Sequence, residues 1–207
     1  MTADAPPDGD FGLAPDDDVP TPYMARTRAY YAAIGYTTPY RWAHYTDAPF
    51  TPLARPLGET RVALVTTAAP FDPAKGDQGP GAPYNGAAKF FAVYDGDVTK
   101  PHDVRISHIA YDRTHTTATD SGTWFPLPAL HRAAAVGRIK LGPRFFGLPT
   151  NRSHRVTLET DVPNLLRRCR ADGVEAAVLV PNCPVCHQSV ALAARHLEAN
   201  GIATVVM

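Results

Sequence analysis

Apolar positions are spread unevenly along the chain: sparse at the start, interrupted by proline in the middle, and regular toward the end. Residues 1–22 hold few core-forming side chains among their prolines, glycines and aspartates. A segment of that kind cannot bury enough apolar surface to offset the entropy of ordering it, so a disordered tail is predicted. Residues 24–34 predict a short helix with Tyr30 and Tyr31, stopped by Gly35. Residues 36–58 carry Pro39, Pro49, Pro52 and Pro56 and read as loop. Their aromatics, Tyr40, Trp42, Tyr45 and Phe50, are expected to pin that loop to a core. The run 61–67 (RVALVTT) is continuously apolar at its centre, which suits a strand covered on both faces. Residues 70–87 form a Gly/Pro-rich loop whose glycines match neither a dinucleotide fingerprint nor a phosphate loop. Residues 90–94 and 104–110 predict two further strands, and 126–136 a helix with Gly137 beyond its end. Residues 138–150 carry no decisive pattern.

The last fifty residues are the most regular. Asp161 is placed as an N-cap, Pro163 falls in the first turn, and Gly173 stands past the last, which predicts a helix over 162–172. A buried strand over 175–181 (EAAVLVP) follows. A helix over 187–200 comes next, with Val190, Ala193, Ala194 and Leu197 on one face and Gly201 after its end. The apolar run 203–207 closes the pattern. Strand, helix, strand in that order is a βαβ unit with parallel strands and a right-handed crossover. The expected fold class is therefore α/β: an open, mostly parallel sheet with flanking helices, a C-terminal βαβ unit and a disordered N-terminal tail. The expected organisation is a tail over 1–22 and a single α/β domain over 23–207, long enough to bury a core.

Composition narrows the partners. Twenty Lys and Arg balance twenty Asp and Glu across 207 residues. A neutral chain is a poor match for nucleic acid or an anionic membrane surface. The balance hides an asymmetry, because Asp4, Asp8, Asp10, Asp16, Asp17 and Asp18 all lie in the tail, which has no base. The remainder carries a modest Arg excess suited to anionic small substrates or an acidic partner subunit. No apolar run is long enough to span a bilayer and no secretory signal is visible, so a cytoplasmic location is expected. Three cysteines in such a chain do not form a disulfide framework.

Two clusters carry candidate chemistry. The first, Asn182-Cys183-Pro184-Val185-Cys186-His187, lies between a strand and a helix. In open α/β sheets reactions occur at the carboxyl ends of strands, and a helix N-terminus favours a thiolate. Cys183 is the candidate nucleophile and Cys186 the resolving thiol, with the reverse assignment open. His187 would serve as base or as electrostatic support. Competing readings are a c-type haem attachment, which C-x-x-C-H formally matches, and two packed thiols without chemistry. Another is a zinc or iron site completed by one or two of His108, His115 and His187. The haem reading suits neither the missing export signal nor the βαβ context. The second cluster, Ser107-His108-Ile109-Ala110-Tyr111-Asp112-Arg113-Thr114-His115, begins in a predicted strand and runs into a polar loop. His108, Asp112, Arg113 and His115 are its candidate substrate-binding groups. Arg113 is suited to gripping a carboxylate, and the histidines to moving protons. The remaining histidines, His44, His102, His131, His154 and His196, read as surface or packing residues.

SHIAYDRTH, the following WFPLPALHRAAAVGRI, and DGVEAAVLVPNCPVCHQSVALAARHLEANGIATVV together resemble the selenoprotein B family of glycine, sarcosine and betaine reductases, which includes the D-proline reductase component. The resemblance covers residues 60–207. It implies reductive cleavage of a C–N bond α to a carboxylate by a redox dithiol at the position of the family's selenocysteine motif. A dithiol electron donor would regenerate the pair by thiol–disulfide exchange, and the resemblance to the D-proline reductase component implies a partner subunit that supplies a pyruvoyl group. The chain departs from the family pattern by having cysteine in place of selenocysteine, by showing no pyruvoyl-generating site, and by ending at GIATVVM, where the relatives are expected to continue. Besides a thiol-dependent reductase, the departures leave room for a non-catalytic subunit or homo-oligomer.

Overall fold

The computed structural model describes residues 22–38, 41–150 and 153–207, which fall into two units divided between Arg41 and Trp42. The predicted tail over 1–22 lies outside the described residues, save for Pro22, as does Tyr40. In the first unit, helix α1 (Tyr23–Ala33) ends where Gly35 takes φ +92°, a left-handed conformation that favours glycine. The Tyr36 N–H returns to the Tyr31 carbonyl at 2.9 Å, and the two rings meet edge to face.

The second unit is built on six strands. The main path runs β3 (Tyr94–Asp97), β6 (Arg144–Gly147), β1 (Arg61–Thr66), β7 (Ala176–Val180), β8 (Ala203–Val206), and β5 (Lys140–Leu141) also pairs with β1. All pairings are parallel except β3 with β6, so the sheet is mostly parallel as expected. Helix α5 (Pro184–Glu198) joins parallel β7 to β8, which is the predicted βαβ unit. Side-chain alternation explains why β1 is apolar from Val62 to Val65. Ala63 and Val65 face a core shared with α4 (Val162–Ala171) and α5, through Leu165, Cys169, Val190, Ala193 and Leu197. Leu64 faces the opposite side, against Trp124, Phe125, Phe145 and Leu127 at the start of α2 (Leu127–Ala135). Both faces of the sheet are therefore covered by helix or loop, which is what a parallel sheet requires.

Three expectations need correction, and one undecided stretch is resolved. The strand predicted over 90–94 is displaced to β3, because pairing with β6 sets Tyr94 opposite Gly147 and Gly96 opposite Phe145. The strand predicted over 104–110 shrinks to β4 (Val104–Arg105), which pairs antiparallel with β2 (Ala69–Pro70) in a separate two-stranded sheet. The undecided stretch 138–150 supplies β5 and β6; Phe145 and Phe146 are both buried, one against each core. Asp161 is not an N-cap. Helix α3 (His154–Val156) starts upstream, with the Ser153 hydroxyl accepting the Val156 N–H, and runs through a π turn (Thr157–Asp161) into α4. A helix-compatible Asp161 cannot present the extended backbone that a cap needs.

Within the second unit, the loop 42–58 is tied down differently from expectation. Phe50 is 82% exposed, and Tyr45 lies under the Arg195 guanidinium at 4.0 Å. Polar contacts to α5 do the anchoring: Arg195 pairs with Asp47, Glu198 accepts the Thr51 N–H, and Gln188 accepts the Ala43 N–H at 2.7 Å. Among the described residues no helix is long and apolar enough to cross a membrane.

Candidate active site

Parallel pairing brings the carboxyl ends of the central strands to one edge. Thr66 is in register with Gly147 on one side and Val180 on the other. The residues just beyond these ends, Thr67, Thr150 and the 182–186 turn, therefore gather at one place. The Asn182 N–H donates to Thr67 Oγ1 at 3.0 Å, which holds the β7–α5 turn against the end of β1.

Helix α5 begins at Pro184, earlier than the sequence pattern alone indicates, and Cys183 is its N-cap. Its extended backbone (φ −159°, ψ 169°) lets Sγ accept the Cys186 N–H at 3.3 Å, as a serine or aspartate oxygen would. Proline at the next position suits the first turn, where its missing N–H has no intrahelical partner to lose. Cys183 and Cys186 thus lie one turn apart at the positive end of the α5 dipole. Cys186 is fully buried, and Cys183 retains a little exposure. All three cysteines are free thiols, and Cys169 sits apart from this pair, within α4.

The histidine that joins the pair is His108. Its ring nitrogen and the two sulfurs lie within 4.8 Å of one another, all buried. The β2–β4 ribbon carries the chain back to the sheet edge, and the irregular residues after it deliver Ser107 and His108. His108 Nε2 is 2.8 Å from Thr150 Oγ1, which also accepts the Cys186 S–H at 3.8 Å. Burial pushes the Cys183 thiol well above its ordinary range, helped by its hydrogen bond and charge interaction with Cys186. Burial acts the same way on Cys186 but is outweighed by the hydrogen bond from Cys183, by His108 and by Thr67, so this thiol is drawn well below its ordinary range.

The other candidate residues are placed elsewhere. The His187 Nδ1 lies 2.9 Å from the Cys183 carbonyl, so its ring braces the first turn of α5. Asp112 and His115 pair with each other at 3.0 Å on an exposed loop. Arg113 donates to the His108 carbonyl at 2.7 Å and lines a cavity of about 220 Å³ with Gln78, Arg105, Tyr111, Ser121 and Trp124. The cysteines are not among the residues lining that cavity. The segment 108–113 thus has the dithiol at one end and the cavity wall at the other. Thr67 and Thr150 escaped the sequence reading, and Ser107 and Asn182 stood in its two clusters without a role. The signal each of those two carried was its place beside a named candidate, Ser107 next to His108 and Asn182 next to Cys183. Buried polar side chains normally find partners, yet the Ser107 hydroxyl, His108 Nδ1 and both ends of the Asn182 carboxamide make no hydrogen bond of normal geometry.

Among curated proteins, the chain is similar to D-proline reductase subunit gamma of Acetoanaerobium sticklandii, 29% identical over 161 residues. The aligned stretch covers 76% of this chain and 63% of that protein, so the chain spans less than two thirds of the length of the curated relative it matches. This similarity supports membership in the reductase family that the motifs resemble. No family model and no solved structure matches the chain.

Proposed function

We propose, with the relationship to D-proline reductase subunit gamma as premise, that this chain is the thiol-bearing component of a reductase complex that cleaves a C–N bond in a small amino-acid-like substrate. The observation that carries the reading is the pair of thiols one helical turn apart at the carboxyl edge of a parallel sheet, with His108 beside them. Cys183, the less buried sulfur, attacks the carbon α to the carboxylate. The C–S bond forms as the C–N bond breaks, and the amine leaves with a proton relayed through Cys186 or His108. Cys186 then attacks the Cys183 sulfur. The S–S bond forms, the C–S bond breaks, and its electron pair with a proton goes to carbon. The dithiol loses two electrons and two protons, and the substrate gains both. A partner dithiol of the thioredoxin class reduces the disulfide. Arg113, on the wall of the neighbouring cavity, supplies the fork that holds a carboxylate. His187 is a positioning residue for the α5 turn, and Asp112 and His115 carry no step in this scheme.

The test is a trapping experiment. With Cys186→Ala, the C–S adduct on Cys183 has no resolving thiol, so a substrate-derived thioether accumulates and is read by mass spectrometry as a mass increment on the Cys183 peptide. With Cys183→Ser nothing is trapped. If both variants keep wild-type turnover in the reconstituted complex, the dithiol has no part in the reaction.

A further inference from the structure

Independently of the reductase chemistry, we infer that His108, Cys183 and Cys186 form a reversible site for one zinc ion, open at its fourth position, which only the reduced pair can hold. The three ligand atoms already converge within 4.8 Å. Tetrahedral zinc, with Zn–S of about 2.3 Å and Zn–N of about 2.0 Å, sets ligand atoms roughly 3.5–3.8 Å apart. Closing around the ion needs a contraction of about 1 Å, within reach of small side-chain rotations.

The imidazole is prepared for this. Nε2 faces the Thr150 hydroxyl at 2.8 Å, while Nδ1 is buried with no hydrogen-bond partner. If Nε2 carries the proton and donates it to Thr150, the Nδ1 lone pair is left pointing at nothing else. A metal-ligating histidine is typically held in this way, its second nitrogen donating to an oxygen that fixes the tautomer. A bound zinc would give the unpaired Nδ1 a role.

Charge points the same way. Two thiolates buried side by side repel each other and are poorly solvated. One divalent cation with two thiolates and a neutral imidazole sums to zero, so the site becomes neutral when filled. Thiolate and imidazole donors favour zinc over the hard cations magnesium and calcium. Among the described residues no fourth side chain joins the set: the His187 Nδ1 is at the Cys183 carbonyl, and Cys169 is packed in the α4 core. Three protein ligands with one open position are typical of exchangeable or reactive zinc sites, whereas structural ones are closed by four. Binding and disulfide formation exclude each other. A two-electron disulfide oxidant that joins Cys183 to Cys186 takes up both electrons and releases Zn²⁺, so zinc guards the dithiol against oxidation.

The full chain, reduced and stripped with a chelator, is titrated with zinc against a chromophoric competitor. One zinc per chain is expected, and none after oxidation to the disulfide. Cys183→Ser and Cys186→Ser should each abolish tight binding. His108→Ala should weaken it at least tenfold and Thr150→Val to a smaller degree, while exposed His115→Ala leaves it unchanged. Absence of stoichiometric uptake, or uptake indifferent to His108→Ala, overturns the inference. Should the cysteine variants fold poorly, X-ray absorption on the unaltered zinc-loaded chain decides: two sulfur scatterers and one imidazole support the site, and an oxygen-only shell removes it. Zinc uptake by a chain that never forms the disulfide would remove the reductase scheme and keep this site. A functional dithiol that takes up no zinc would do the reverse.

Discussion

Thr67→Val tests whether one buried hydroxyl both holds the reactive turn and tunes its chemistry. Thr67 is fully buried, and its Oγ1 accepts the Asn182 N–H at 3.0 Å, the hydrogen bond that fixes the β7–α5 turn immediately before Cys183. Valine has the same shape but cannot accept. The Asn182 N–H would be left buried and unpaired, at a cost of about 1–3 kcal/mol. With a urea slope of about 2 kcal/mol/M, a 2 kcal/mol loss lowers the unfolding midpoint by about 1 M. The hydroxyl has a second role. It hydrogen-bonds to Cys186 and helps to draw that thiol down. Removing it withdraws support from the anion, so the Cys186 thiol rises toward the ordinary cysteine range. Urea denaturation of the reduced, chelator-treated protein reads the first effect, and thiolate ultraviolet absorbance against pH reads the second. A variant with wild-type midpoint and an unmoved thiolate titration would show that Thr67 does neither.

Gly147→Ala places a methyl group in the ring of Tyr94, its partner across β3 and β6. The ring cannot withdraw freely, because its hydroxyl donates to the Ala68 carbonyl at 2.7 Å. A loss of about 1–3 kcal/mol is expected from such overpacking, seen as a drop in Tm of about 3–10 °C. Ser153→Ala removes the cap of α3 and should cost about 1 kcal/mol in chemical denaturation, with Ser153→Asp restoring it. Arg144 grips Asp172 with two hydrogen bonds, at 2.9 and 2.8 Å, beside its pairing with Asp95. Arg144→Lys keeps the charge but loses the fork, and should cost about 1–2 kcal/mol.

Much of the C-terminal half is legible in the chain itself. β7, α5 and β8 follow from an apolar run, an amphipathic period and a second apolar run, because one face of each element must be buried whatever its neighbours. The positions picked for the α5 face, Val190, Ala193, Ala194 and Leu197, are all buried. The C-x-x-C motif and its strand-to-helix setting are local features and were equally visible. β6 was not, since a four-residue strand that follows Gly142-Pro143 and itself ends in Gly147 gives too short a pattern. Its place beside β1 comes from pairing along the sheet and from Phe145 and Phe146 filling cores on opposite faces. Asp161 misled because a good capping residue followed by proline looks the same whether a helix begins there or passes through a π turn.

By itself, then, the sequence determined the fold class, the βαβ unit and the two thiols at a helix start. Each depends on backbone preferences and side-chain periodicity over a few residues. Which histidine meets the thiols was decided only by the tertiary structure. His108, His115 and His187 are equivalent candidates along the chain, but the β2–β4 ribbon delivers His108 to the sheet edge, while His115 stays on an exposed loop and His187 turns to its own helix. The thiol pKa order has the same origin. It depends on burial and on Thr67, Thr150 and His108, residues between 36 and 119 positions away from Cys186 that come together only because parallel strands end in register.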